Sequence, residues 1–125
     1  MQYFIVNNKT NKNAISLTLG VCDTFLSRLC GLMFKKSIPE NGGLLFINPA
    51  EDRINSAIHM FFMRIDLAIV WADSNGVVVD KILAKQWKTL ASPQKGAKYI
   101  IETHIDRFDD YNCGDLLEIA HETIK

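Results

Sequence analysis

The central segment of the chain, Ile58 to Trp71, reads IHMFFMRIDLAIVW and decides the fold. Its apolar, β-branched and aromatic side chains are typical of a buried strand. The segment is too long to be one ordinary strand, so we expect a bend or bulge between about Met63 and Asp66. Because a polar group buried without a partner is costly, His59, Arg64 and Asp66 each need a hydrogen bond, an opposite charge or water. A functional site is therefore expected near this segment.

Shorter strand patterns lie on both sides of the central segment. Alternating apolar residues and turn signals predict strands over residues 4–6, 15–20, 44–47, 77–83, 99–103 and 116–120. Asp23 fits the N-cap of a short helix that ends near Cys30, and residues 73–76 (DSNG) predict a hairpin turn. Residues 84–98 are expected to be irregular, and residues 105–111 to form one helical turn. We therefore predict an α+β fold, a strand-rich single domain over residues 1–125 with a curled mixed sheet or half-barrel and one or two short helices.

The composition is that of an ordinary globular chain. The 14 basic residues balance the 14 acidic ones among 125, so no overall charge would attract nucleic acid or anionic lipid. No apolar stretch approaches a membrane span, and the opening MQYFIV lacks the basic region of a signal peptide. Three cysteines, an odd number, argue against a disulfide framework. We expect a cytoplasmic protein that binds neither nucleic acid nor membrane, and its oligomeric state stays open.

Three stretches of the chain resemble one known family. They are TFLSRLCGLM at residues 24–33, IHMFFMR at residues 58–64, and Ile100-Ile101-Glu102 with the later pair Gly114-Asp115. Together they are similar to the domain of unknown function 192, a family of small bacterial and archaeal proteins. The resemblance implies a compact β-rich fold and brings no established reaction with it. Relatives usually carry an Asp at the position of Ala68, whereas Asp66 lies two residues earlier in this chain.

The polar residues of the central segment each have a structural and a functional interpretation. Strand alternation places His59 on the face that continues as Leu67 and Trp71. His59 is then either a hydrogen-bonded histidine at the edge of an apolar face or a pocket group that transfers protons. Arg64 and Asp66 share a face, where they form either a structural ion pair or a clamp for a carboxylate or phosphate, with Asp66 orienting Arg64.

Residues outside the segment could complete such a site. Arg28, on the predicted helix, would lie on the surface, pair with Glu102 or Asp115, or reach the same rim. Glu102 and His104 alternate onto one face beside Asp106. Two ligands do not make a metal site, and no Cys-x-x-Cys, His-x-x-x-His or Glu-x-x-His pattern supports one. We therefore expect no metal and no cofactor.

Two functions remain open. The first is a binding or accessory module for a small anionic ligand or a peptide near the central strand, with the ligand-binding residues Arg28, His59, Arg64 and Asp115. The second is a small hydrolase or lyase that uses His59 as its acid–base group, with Asp66 or Glu102 as the nearby carboxylate. The enzyme requires His59 to lie in a concavity, within hydrogen-bond reach of a carboxylate. The sequence leaves open whether the partner is a small molecule or a protein.

Overall fold

The computed structural model describes residues 2–22, 32, 35–54, 56–60 and 62–122. The predicted helix between Asp23 and Cys30 lies outside this part of the chain. The described residues form strands β1 (Tyr3–Asn8), β2 (Leu17–Cys22), β3 (Gly43–Asp52), β4 (Ile58–His59), β5 (Leu67–Ala72), β6 (Val78–Ala84), β7 (Leu90–Ala91), β8 (Ala97–Thr103) and β9 (Leu117–His121), and a 3₁₀ helix (Ile105–Asp110). No helix in this part of the chain is long and apolar enough to cross a bilayer.

Most of the strands belong to one curled sheet. Its order is β6-β5-β8-β3-β2-β1-β9, while β4 and β7 pair in a separate two-stranded ribbon. β2 and β3 run parallel, and the other neighbours are antiparallel. A bridge between Val77 and Leu116 joins the starts of β6 and β9, so the two ends of the sheet curl toward each other. The predicted strand-rich half-barrel is confirmed, but the α+β label is only loosely supported, because helical structure is scarce among the described residues.

Apolar side chains on the inner face of the curl form one core. Leu45, Val70 and Ile101 lie in register on three adjacent strands and are fully buried. Val6 of β1 and Val78 of β6 belong to the same core, although their strands lie toward opposite ends of the sheet. Strands so far apart share a core only on the concave side of a curled sheet.

A second core covers the outer face of the sheet. Phe46, Trp71 and Ile100 lie in register on this face, and Ile58 and Met60 pack against the same cluster. The β4–β7 ribbon therefore lies over the outer face. The loop that follows β4 carries the polar residues Arg64 and Asp66.

The central segment is interrupted for longer than the sequence predicts. β4 ends at His59 and β5 begins at Leu67, so residues 60–66 separate the two strands. Met60 is buried in the outer core with Trp71, whereas His59 is half-buried. The expected alternation from His59 to Trp71 is therefore wrong, because alternation holds only along continuously extended backbone.

β2 is Leu17–Cys22 where residues 15–20 were predicted, β3 extends beyond its predicted end, and one strand was not predicted. β3 continues through Pro49 to Asp52, although the sequence predicts that it ends at Asn48-Pro49. Its register with β8 shifts between Ile47 and Asp52, and a proline is tolerated at such an irregularity because no regular ladder requires its missing N–H. The short strand β7 forms in the stretch that was expected to be irregular.

The predicted hairpin turn between β5 and β6 is confirmed. Gly76 adopts a φ of 82° and donates its N–H to the Asp73 carbonyl at 3.0 Å. The Asp73 carboxylate accepts the N–H groups of Asn75 and Val77 at 2.9 and 3.0 Å. Glycine supplies the positive φ and aspartate the local acceptor, which are the two signals in the sequence.

Candidate functional site

A cleft of about 390 Å³ opens beside the interruption of the central segment. Residues 36–38, residues 64–66, Gln86 and residues 104–105 line it. The loop before β3, the loop between β4 and β5, and the start of the 3₁₀ helix therefore meet at one place. The lining includes Arg64 and Asp66, two of the residues that the sequence analysis proposed for a site.

Asp66 holds the turn after β6 against the cleft. Its Oδ1 accepts the backbone N–H of Gln86 at 2.8 Å, and its Oδ2 lies 3.6 Å from the Lys85 Nζ. The ion pair of Asp66 is thus with Lys85 and not with Arg64. The carboxylate thus fixes Gln86 at the cleft and forms an ion pair with the turn that follows β6.

Two cationic side chains of the cleft lining have no ion-pair partner among the described residues. Lys36 and Arg64 are both exposed, and neither forms an ion pair with any residue that the structure describes. The guanidinium of arginine suits the planar oxygens of carboxylates and phosphates, and lysine supplies a second positive charge. Sequence analysis missed Lys36 because a Lys-Lys pair before a Pro-Gly loop resembles ordinary solvated surface.

His104 brings an imidazole to the cleft at the N-terminus of the 3₁₀ helix. Its Nδ1 accepts the Asp106 backbone N–H at 3.0 Å, so the neutral ring carries its proton on Nε2. Nε2 is then a hydrogen-bond donor, as an anion requires.

His104 also belongs to a group of side chains with metal-ligand chemistry. Glu40, His104 and Asp106 offer ligand atoms that lie within 4.8 Å of one another, and imidazole and carboxylate are among the ligands that Zn²⁺ takes in proteins. A metal at the His104 Nδ1 would displace the Asp106 N–H, and a metal at Nε2 would require the proton to leave that nitrogen. The cluster is therefore not preorganised for a metal.

Glu102 lies near this region but on the outer core. It is in register with Leu44 of β3 and Ile69 of β5, both members of that core. Burial among these apolar groups raises the pKa of the Glu102 carboxyl to about 7. Glu102 does not line the cleft, although His104, two residues later, does. The Glu102 carboxyl therefore titrates near neutral pH, but it is not part of the cleft lining.

The sequence also proposed His59 and Arg28 for the site. His59 is half-buried in β4, opposite Leu90 of β7, and does not line the cleft. Arg28 lies outside the described residues. His59 therefore lies in the ribbon, whereas Arg64 and Asp66 lie in the loop between β4 and β5, at the cleft.

Asp115 occupies a structural position at the closure of the sheet. It is buried, and its Oδ2 accepts the Asn8 Nδ2 and the Asn112 backbone N–H, both at 2.9 Å. Its own carbonyl accepts the Val78 N–H at 2.9 Å, next to the bridge between β6 and β9. Asp115 thus ties the turn before β9 to β1 and β6.

Comparison with known proteins identifies a family without an assigned activity. The model of the family DUF192, described as Uncharacterized ACR, matches residues 6–119. The UPF0127 protein TK1120 of Thermococcus kodakarensis is 45% identical over 98 residues, which cover 78% of this chain and 60% of that protein. The UPF0127 protein of Thermococcus sibiricus is 40% identical over 106 residues, which cover 85% and 67%. The matched part thus spans about 60% of the length of the first of these relatives.

Solved structures share the fold at low sequence identity. A crystal structure of a candidate transcription regulator from Sinorhizobium meliloti has a TM-score of 0.79 and 17% identity, covering 94% of this chain and 92% of that one. A protein of unknown function from Novosphingobium aromaticivorans has a TM-score of 0.76 and 16% identity, covering 93% and 83%. At these identities the likeness shows the fold alone.

Proposed function

Because this chain belongs to the DUF192 family, whose description names no reaction, we propose from its own geometry that it is a binding module for a small anion. The anion occupies the cleft between Lys36 and Arg64. The observation that carries the proposal is the presence of two cations in one cleft, neither of them paired with a carboxylate among the described residues.

The size and the lining of the cleft suit a small molecule. Its volume of about 390 Å³ lies within the range of about 300 to 1,000 Å³ that is usual for ligand sites. Ile38, Ile65 and Ile105 supply apolar walls, and both Ile38 and Ile65 pack against the outer core, which makes those walls rigid. Six of the nine lining residues are polar or charged, so the cleft is more polar than the usual ligand pocket and suits a charged ligand.

Charge and hydrogen bonding both favour an anion. Arg64 and Lys36 supply positive charge, and the Nε2–H of His104 supplies a neutral donor. Asp66 is the acidic residue of the lining, and its two oxygens are engaged by the turn that contains Gln86. The two cations attract carboxylates and phosphates, and the carboxylates of Glu40 and Asp106 lie beside His104, within 4.8 Å of a ring nitrogen.

We favour binding over hydrolase or lyase chemistry. The enzyme hypothesis places His59 in a concavity as the acid–base group, and His59 is not part of the cleft lining. Its carboxylate partners are also separated, since Asp66 lines the cleft and Glu102 does not. A binding site needs only the charges and walls that the cleft already contains.

Isothermal titration calorimetry with inorganic phosphate, glycerol 3-phosphate and citrate tests the proposal. We expect at least one anion to bind, and the variants Arg64→Gln and Lys36→Gln each to weaken that binding about tenfold, since a charge-assisted hydrogen bond contributes roughly 1.5 kcal/mol. Lys12→Gln is the matched control, because Lys12 is exposed on the loop between β1 and β2 and does not line the cleft. An equal loss in Lys12→Gln, or no binding of any anion at millimolar concentration, would overturn the proposal.

A further inference from the structure

Two aromatic residues next to the cleft have unusual backbone conformations. Phe62 and Trp87 have φ values of 61° and 65°, and they are the two non-glycine residues with positive φ in the described part of the chain. Side chains with a Cβ rarely adopt this conformation, and such strain concentrates at active sites and ligand clamps. Both strained positions carry large aromatic rings.

The two rings contact each other and remain accessible. Their centroids are 4.9 Å apart at an interplanar angle of 61°, and the residues are 47% and 54% exposed. Trp71 contrasts with them, because it is fully buried and its Nε1 donates to the Ser56 carbonyl at 2.7 Å. The core packing that explains Trp71 therefore does not explain the Phe62–Trp87 pair.

The aromatic pair and the cleft are built from the same two turns. Gln86 of the cleft lining directly precedes Trp87, and Arg64 follows Phe62 by two residues. The Trp87 N–H donates to the Met60 carbonyl at 2.7 Å, which fastens one turn to the other. The bond from the Gln86 N–H to Asp66 is a second link between the same turns. These two bonds join the backbone of the turn that carries Trp87 to the loop that carries Phe62 and Arg64.

We infer that the Phe62–Trp87 pair is a ring-binding subsite beside the cleft, and that the ligand is a small anion that carries a planar ring. This inference rests on the proposed function and specifies its substrate class. The anionic group lies between Lys36 and Arg64, and the ring of the ligand stacks on the exposed indole of Trp87. The Nε1–H of Trp87 has no hydrogen-bond partner among the described residues, so it is available to an acceptor on that ring.

The local charges favour a ring attached to an anion over an uncharged apolar ligand. Lys85 and Lys88 are exposed on the turn that carries Trp87, and Lys85 pairs with Asp66. A planar ring stacks on an indole, and the lysine side chains beside it attract the attached negative charge. One ligand would thus contact both the strained pair and the cations.

Calorimetric titration of three phosphates measures the contribution of the ring. Phenyl phosphate and AMP carry a ring, and glycerol 3-phosphate is the ringless control. We expect both ring-bearing phosphates to bind about fivefold or more tightly than glycerol 3-phosphate, as aromatic stacking predicts. Trp87→Ala should remove this preference and leave glycerol 3-phosphate binding unchanged, whereas Trp87→Phe should retain most of it. Leu90→Ala is the control for an exposed apolar side chain on the same ribbon.

Tryptophan fluorescence gives a second readout. Trp71 and Trp87 are the two tryptophans of the chain, and Trp71 is fully buried, so quenching by a stacked ring reports on Trp87. Equal affinities for all three phosphates, or a preference that survives in Trp87→Ala, would overturn the subsite while the anion site stands. No binding of any phosphate by the intact protein would overturn the subsite, and the proposed function would fall as well if citrate also failed to bind.

Discussion

Replacement of Glu102 by glutamine should make the protein more stable at alkaline pH and leave its stability unchanged at acidic pH. Glu102 lies between Leu44 and Ile69 on the outer core, and burial raises the pKa of its carboxyl from an ordinary value of 4.5 to about 7. The folded protein therefore favours the protonated, neutral acid. Glu102→Gln keeps the shape and size of that acid and removes its ionisation.

The sign and the size of the effect follow from this pKa. The folded state binds the Glu102 proton more tightly than the unfolded state, so the free energy of unfolding falls as the pH rises from 4.5 to about 7. Below this window both states are protonated, and above it the folded state bears the whole cost of a buried charge. A pKa rise from 4.5 to about 7 corresponds to about 3 kcal/mol.

Urea unfolding at pH 4, 5.5, 7 and 8.5, followed by circular dichroism, measures this difference. We expect Glu102→Gln to match the unaltered protein at pH 4 and to exceed it by about 3 kcal/mol at pH 8.5. Glu118→Gln, at an exposed carboxylate of β9, should show no comparable dependence on pH. A difference that does not change with pH, or a glutamine variant that is less stable at pH 8.5, would refute the reasoning, since the latter requires a cation paired with the Glu102 carboxylate.

Three other substitutions test the structural assignments. Asp115→Ala should cost about 2 to 3 kcal/mol in urea unfolding, because it leaves the buried Asn8 amide without its carboxylate partner, and should leave anion affinity unchanged; an affinity loss in a folded Asp115→Ala protein would place this residue in the ligand site. Gly43→Ala should prevent stable folding, because a Cβ there would lie 2.0 Å from a carbonyl oxygen of β8 at a φ of 141°. Gly114→Ala, at a φ of 95° with open space around it, should cost only about 1 kcal/mol, and equal losses at the two glycines would contradict the account.

The strands that sequence analysis predicted are those whose signals are local. Alternation marks β2, and the DSNG turn combines an aspartate acceptor with a glycine of positive φ. The interruption at residues 60–66 was underestimated because a distant part of the chain holds it. The Met60 backbone bonds to Trp87 and Thr89, more than 20 residues later, and no pattern within the central segment encodes those bonds.

The site was predictable only in part for the same reason. Arg64 and Asp66 stand out because they are ionic residues in an apolar segment, and both line the cleft. Lys36 and Gln86 come from loops whose meeting depends on the curl of the sheet, so their local sequences carry no signal. His59 has a strong local signal. Because the chain is interrupted after β4, however, His59 does not lie on the face that alternation assigned to it.

A carboxylate at position 66 has a different role from a carboxylate at position 68. Ala68, at which the resemblance to the family implies an Asp, is fully buried in β5 and in register with Thr103 of β8. It alternates with the outer-core residue Ile69, so its side chain is on the inner face of the curl. A carboxylate at position 68 would therefore lie within the sheet and require a buried donor, whereas Asp66 lies in the loop and binds the turn that contains Lys85. The two positions are therefore not interchangeable: the Asp66 carboxylate fixes the turn at the wall of the cleft, and Lys36 and Arg64 in the lining have no ion-pair partner within the described part of the chain.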